Sequence, residues 1–169
     1  AAFSTNVLGA YGPIALIFRA LLIGCFGLQV APLLWATLVL HIANALLAFS
    51  LALRLFSIAC ARDPQLQASL RPVPAACLTA LLFALSPLRV EVVAWASGQP
   101  YALAGFFFLV SLHAYLRYAM LPGDARFITR AGWLLAAIIS FALAGLSKSA
   151  AIFLPAVLFA LDFYPLRRR

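Results

Sequence analysis

Residues 33–56, LLWATLVLHIANALLAFSLALRLF, run for 24 positions with a single charge, Arg54, close to the far end. A helix needs about 20 apolar residues to cross the hydrocarbon of a bilayer, so this stretch predicts a membrane span. A second run, Tyr101 to Met120, is also long enough. Three shorter runs, Pro74 to Leu88, Ala131 to Leu146 and Ala150 to Leu166, are each bounded by proline or charge and predict three more crossings. The first apolar stretch differs. Pro13 to Phe26 has 14 residues and carries Arg19 near its centre, a costly place for a charge at the bilayer midplane. An interfacial or re-entrant helix is the expectation there.

Composition agrees. The 169 residues are 66% hydrophobic and 9% charged, against roughly 25% charged in soluble domains, which leaves too little polar surface for a water-exposed globule. The formal charge of +8 does not point to nucleic acid, because the arginines sit in short clusters between apolar runs with no basic stripe. The expected fold class is therefore all-α, a polytopic membrane bundle of about five spanning helices and one external interfacial helix. The opening Ala1-Ala2-Phe3 and the closing Arg167-Arg168-Arg169 predict one module of a longer chain, with residues 1–30 as the interfacial part and 31–169 as the spanning part. Cys25, Cys60 and Cys77 fit no disulfide or zinc spacing and read as small packing residues.

Basic residues concentrate in cytoplasmic loops. With five spans, the connections after the first, third and fifth hold Arg54, Arg62, Arg71, Arg117, Arg126, Arg130 and Arg167 to Arg169, nine of the twelve basic residues. The opposite face keeps Arg89, Lys148 and Arg19. On that face lies Ser86-Pro87-Leu88-Arg89-Val90-Glu91-Val92-Val93-Ala94-Trp95-Ala96-Ser97-Gly98-Gln99-Pro100-Tyr101, the most polar and aromatic connection in the chain, and the short turn Ser147-Lys148-Ser149. Polar loops held on a rigid scaffold are where binding and catalysis concentrate.

The first of these loops resembles the HP-x-x-VE-x-VAW-x-x-GR loop of bacterial membrane proteins that join a multi-span module to tetratricopeptide repeats, relatives of the eukaryotic transmembrane O-mannosyltransferases. Further blocks agree in order: Leu40-His41-Ile42-Ala43-Asn44-Ala45-Leu46-Leu47 looks like the family's LH-x-x-NALL helix, Leu146-Ser147-Lys148-Ser149 like its LSK turn, and Leu161-Asp162-Phe163-Tyr164-Pro165-Leu166 like its LDYWPL end. Tyr11-Gly12-Pro13-Ile14 stands where the family has YRPL. The resemblance implies a GT-C-type glycosyltransferase that takes a sugar from a polyprenyl-phosphate donor, with inversion, and gives it to a protein or glycan acceptor. It implies a bacterial inner-membrane location with the active face periplasmic, and a catalytic acid in a loop preceding Tyr11. The chain departs from the pattern at Ser86, Gln99, Tyr101, Gly12 and Ser149, where the family has His, Arg, Asp, Arg and often an acid, which bears on substrate choice and on activity itself.

Each candidate residue has a structural reading beside its functional one. Glu91 is the carboxylate expected on the external face, a general base or a surface partner of Arg89. Arg89 and Lys148 are cations for a donor phosphate, or side chains reaching to lipid headgroups. Trp95 and Tyr101 stack on a sugar or belong to an interfacial aromatic belt. Gln99 takes the position of a family arginine in the same loop, as a substrate contact. His41, Asn44 and His113 read as interhelical hydrogen-bonding residues and Asp162 as structural. No cofactor motif is evident; a divalent metal is the one addition the chemistry admits, and no metal ligand set stands out. A non-catalytic scaffold or anchor derived from the same family is the alternative function, and a transporter a more distant one, since the spans hold few ionisable residues and no internal repeat.

Overall fold

The computed structural model describes residues 12–95 and 98–163, with the side chains of residues 88–90 outside that description. Every element among them is helical: α1 (Pro13–Phe26), α2 (Val30–Arg62), α3 (Pro64–Ser69), α4 (Pro72–Leu85), α5 (Pro87–Ala94), α6 (Gln99–Ala119), α7 (Phe127–Ser147), a 3₁₀ turn (Ser149–Phe153) and α8 (Leu154–Phe163). Three helices, α2, α6 and α7, are long and apolar enough to cross a membrane, and α1, α4 and the Ser149–Phe163 segment are shorter apolar helices.

Prolines and one aspartate set the boundaries. α2 continues past Phe56 until Asp63, whose Oδ1 accepts from the backbone N–H groups of Gln65 (2.9 Å) and Leu66 (3.3 Å) and starts α3, with Pro64 in its first turn. Arg54, expected in a connection, thus lies inside α2, two turns before its end. The apolar run from Pro74 is cut at Leu85. Ser86 precedes Pro87, which disfavours helical ψ, and it sits at φ −58°, ψ 129°. α5 then restarts with Pro87 in its first turn. Lys148, extended at φ −160°, ψ 135°, separates α7 from the 3₁₀ turn, so the run from Ala150 is a turn followed by α8 and not one regular helix.

Side-chain bonds fix the helix directions. Asn44 Nδ2 donates to the Ala102 carbonyl (2.8 Å) and Ser50 Oγ pairs with His113 Nε2 (2.7 Å), so α2 and α6 run parallel. His41 Nε2 meets the Ala84 carbonyl (3.2 Å) while Cys60 Sγ approaches Leu70 O (3.7 Å), which makes α4 antiparallel to α2. Ser111 Oγ donates to Ala137 O (2.8 Å) and Arg117 lies over Trp133, so α7 returns antiparallel to α6. Tyr115 Oη donates to Asp162 Oδ2 (2.6 Å), bringing α8 down beside α6. His41, Asn44, His113 and Asp162 all serve contacts between helices.

The packing is inverted relative to a soluble protein. Only 17% of the most apolar 18-residue window of α7 is buried, and Leu28, Phe127 and Ile128 are more than four-fifths exposed. The interior instead gathers small and polar residues, among them Ala76, Ala102, Ala104, Ala114, Ala137, Ala144, Thr37, Asn44, Ser111 and Ser147. Small residues let helix backbones approach where no hydrophobic effect drives helices together, which is the condition inside a bilayer. A cluster of Leu51, Leu112, Leu116 and Leu161 closes the centre.

With these directions the bundle has two ends. Arg62, Asp63, Arg71, Arg117, Asp124, Arg126 and Arg130 lie at one end, and α5 with Glu91, the start of α6 and Lys148 lie at the other. α1 belongs to the second end throughout: it begins at Gly12 against the Ser147 carbonyl and leads through Gly27 into the first residue of α2. Those contacts set α1 across the bundle's end.

Candidate functional site

At the end opposite the arginines, the first turn of α6 faces the turn that follows α7. Lys148 Nζ lies 4.6 Å from the centroid of the Tyr101 ring, inside the range of a cation–π contact. The extended backbone of Lys148 carries its side chain out of the α7 line and over that ring. Among the described residues no ion pair ties Lys148 to a carboxylate. Below the pair opens a cavity of about 360 Å³ lined by Phe83, Tyr101, Gly105, Phe108, Lys148 and Ala151 with a leucine and two further alanines. Apart from Lys148 and Tyr101 its lining side chains are apolar. A cation and an aromatic ring over an apolar recess suit an amphiphile with a negative head.

The site is held from two sides. Gly98 must be glycine, because a Cβ there would run into the backbone of Val92 in α5; its bareness lets α5 lie against the start of α6. Gln99 is almost wholly buried, and its Oε1 accepts from Arg19 Nε of α1 at 3.4 Å. Arginine only donates, so this bond fixes which end of the amide faces it. A Cβ on Gly12 would come 2.8 Å from the Ser147 carbonyl oxygen, so α1 also touches α7 one residue before Lys148. α1 therefore clasps both strips of backbone that carry the Lys148–Tyr101 pair.

Gln99 Nε2 and Asn44 Oδ1 are buried without a partner among the described residues. Asn44 is bonded to Ala102, one turn along α6 from Gln99, so a donor and an acceptor are left over near the start of α6. Buried polar groups of this kind take up ordered water.

The residues singled out from sequence divide as follows. Lys148 and Tyr101 meet. Gln99 lies two residues from Tyr101 but is turned inward to Arg19. Trp95 (64% exposed) and Glu91 stand on the outside of α5 and its end, and no hydrogen bond or ion pair joins Glu91 to Lys148 or Tyr101 among the described residues. The Arg89 side chain, with Ala96 and Ser97, falls outside the described residues. No group of three or more His, Cys, Asp and Glu side chains that could hold a metal occurs among those described. The cavity wall of Phe83, Gly105 and Phe108 gave no signal in the sequence, since a lipid-facing and a cavity-facing phenylalanine read alike.

The chain matches no family model, no curated protein and no solved structure.

Proposed function

We propose that the chain is a module of a GT-C-type membrane glycosyltransferase, taking a sugar from a polyprenyl-phosphate donor for a protein or glycan acceptor. The observation that carries the reading is Lys148, stacked on Tyr101 beside an apolar cavity with no carboxylate paired to it among the described residues. In this reading the donor's phosphate meets the Lys148 ammonium, and its first isoprene units enter the recess lined by Phe83 and Phe108. Arg89 supplies a second, bidentate cation for the leaving phosphate. Trp95 offers a stacking face for a sugar, and Glu91 takes the acceptor's proton or assists an acid outside these residues. Gln99 holds α1 in place and stays out of contact with the donor.

The same reading takes α2, α4, α6, α7 and the Ser149–Phe163 segment as five crossings. The arginine-rich end is cytoplasmic, and α1 lies in the opposite, periplasmic interface of a bacterial inner membrane. The positive-inside rule supports the orientation, and the two-ended distribution of charge supports the alternation. The alternative is a non-catalytic scaffold built on the same bundle.

The test uses the full chain in membranes, with labelled polyprenyl phosphate as the binding probe and polyprenyl-phosphate hexoses as donors. Lys148→Gln should weaken binding of the probe by about tenfold or more, the worth of a charge-assisted contact. Glu91→Gln should lower turnover with binding unchanged. Binding unaltered in Lys148→Gln would end the donor-site reading, and saturable binding without any transfer would favour the scaffold.

A further inference from the structure

The arginine-rich end carries a second concavity. A groove of about 610 Å³ opens between α2, α6 and the first turns of α7, lined by Arg54, Ser57, Ile58, Arg117, Met120 and Trp133 with two further leucines. Its two guanidinium groups come from different helices, and Arg117 lies over the Trp133 ring with its Cζ 6.0 Å from the centroid. No carboxylate lines it, and no ion pair to either arginine exists among the described residues. The other basic side chains of this end are set differently: Arg130 donates to the Pro122 carbonyl (3.0 Å), and Arg62, Arg71 and Arg126 do not line the groove.

Depth decides what such a groove holds. Arg117 is two residues from the end of α6 and Arg54 two turns from the end of α2, so both stand where apolar helix surface gives way to the polar connection. Two like charges left uncompensated at the edge of hydrocarbon are costly, and an anion placed between them removes that cost. Leu53 lines the groove beside Arg54, and the helix surfaces of α2 and α6 inward of the arginines are apolar, which suits an anion that carries a tail. Trp133 stands at the depth of an interfacial aromatic belt.

We propose that the Arg54–Arg117 groove binds the phosphate of an anionic phospholipid, with its acyl chain along the apolar faces of α2 and α6. Arg54 and Arg117 converge on the phosphodiester, Trp133 packs beside the glycerol region, Leu53 lines the start of the chain, and Ile58 and Met120, nearer the helix ends, border the headgroup. The inference rests on the membrane reading of the fold and is independent of the glycosyltransferase reading.

Trp133 supplies the probe. In the full chain with Trp35→Phe and Trp95→Phe, Trp133 is the one remaining tryptophan of three. Reconstituted with phosphatidylglycerol or phosphatidylcholine brominated on the acyl chain, it should be quenched preferentially by the anionic lipid. Neutralising one arginine should reduce that preference about fivefold, and Arg54→Gln with Arg117→Gln about thirtyfold, the surface-electrostatic worth of one and two cations. Arg126→Gln should leave it unchanged. Arg54→Lys with Arg117→Lys, which keeps both charges, should retain most of the preference and separates loss of charge from misfolding. Equal quenching by the two lipids, or a preference that survives neutralisation of both arginines, would overturn the proposal. Loss of the preference on adding millimolar inorganic phosphate would overturn it too, by assigning the groove to a soluble anion.

Discussion

Lys148 and Tyr101 are 47 positions apart in the chain and meet at 4.6 Å, so their interaction can be isolated by a double-mutant cycle of Lys148→Met, Tyr101→Leu and the pair. A cation–π contact contributes about 0.5–1 kcal/mol when exposed and about 2 kcal/mol when desolvated. Tyr101 is 45% exposed and Lys148 half-buried, which places the expected coupling near ~1 kcal/mol. In a chain of this size that amounts to about 2–4 °C in Tm. Cys60 is buried whereas Cys25 and Cys77 are exposed, so with the latter two changed to serine a thiol-reactive dye reports unfolding through Cys60 alone. Tyr101→Phe keeps the ring and should leave the coupling intact. Strict additivity of Lys148→Met and Tyr101→Leu would show that the two side chains are neighbours without interacting.

Ligand linkage extends the same measurement to function. Polyprenyl phosphate at a hundredfold excess over its Kd should stabilise the parent chain by about 2.7 kcal/mol. If Lys148→Met weakens binding tenfold, the same concentration stabilises the variant by about 1.4 kcal/mol. Equal stabilisation of parent and variant would remove Lys148 from the phosphate site, while the cation–π coupling could still stand. The two results are separable because one compares unliganded proteins and the other does not.

The long runs were legible because composition alone sets them. Leu33 to Phe56 lies inside α2, Tyr101 to Met120 follows α6 to its C-cap one residue past Ala119, and Ala131 to Leu146 lies inside α7, which begins one turn earlier at Phe127. Their ends were less legible. Ser57 to Arg62 holds no breaker, so α2 continues until Asp63-Pro64. Hydropathy runs through Ser86-Pro87 without a pause, yet the backbone cannot. At the site, Lys148 and Tyr101 stood out as polar and aromatic residues in short connections. Their pairing did not, because it depends on α6 and α7 running antiparallel. Arg19 was legible as a misfit in an apolar stretch, but the Gln99 side chain that receives it lies 80 positions away. The Arg54–Arg117 groove was hidden for a different reason: a positive-inside count reads both as loop charges and gives no hint that α2 and α6 bring them to one recess.

Gly12→Val should lift α1 from α7, because its side chain would begin 2.8 Å from the Ser147 carbonyl oxygen; overpacking of this kind costs about 1–3 kcal/mol, and an unchanged Tm would mean α1 is not clasped there. Asn44→Leu removes the 2.8 Å bond to Ala102, for which about 0.6–1.7 kcal/mol is expected in a membrane bundle by the same dye assay. Side-specific labelling tests the crossings themselves. Gln67 on α3 and Ser149 after α7 are both exposed, and α4, α6 and α7 lie between them. α6 and α7 each rise about 31 Å over their 21 residues and match the hydrocarbon thickness, but the 14 residues of α4 rise only about 21 Å. Three crossings would put the two positions on opposite sides, and two crossings on the same side. With single cysteines at 67 and 149 in a chain lacking the native three, an impermeant maleimide applied to intact cells should label position 149 and reach 67 only after permeabilisation. Labelling of both from outside would mean that α4 turns back within the membrane. Labelling of 67 alone would keep the three crossings and place the arginine-rich end outside, against the charge rule that orients the site.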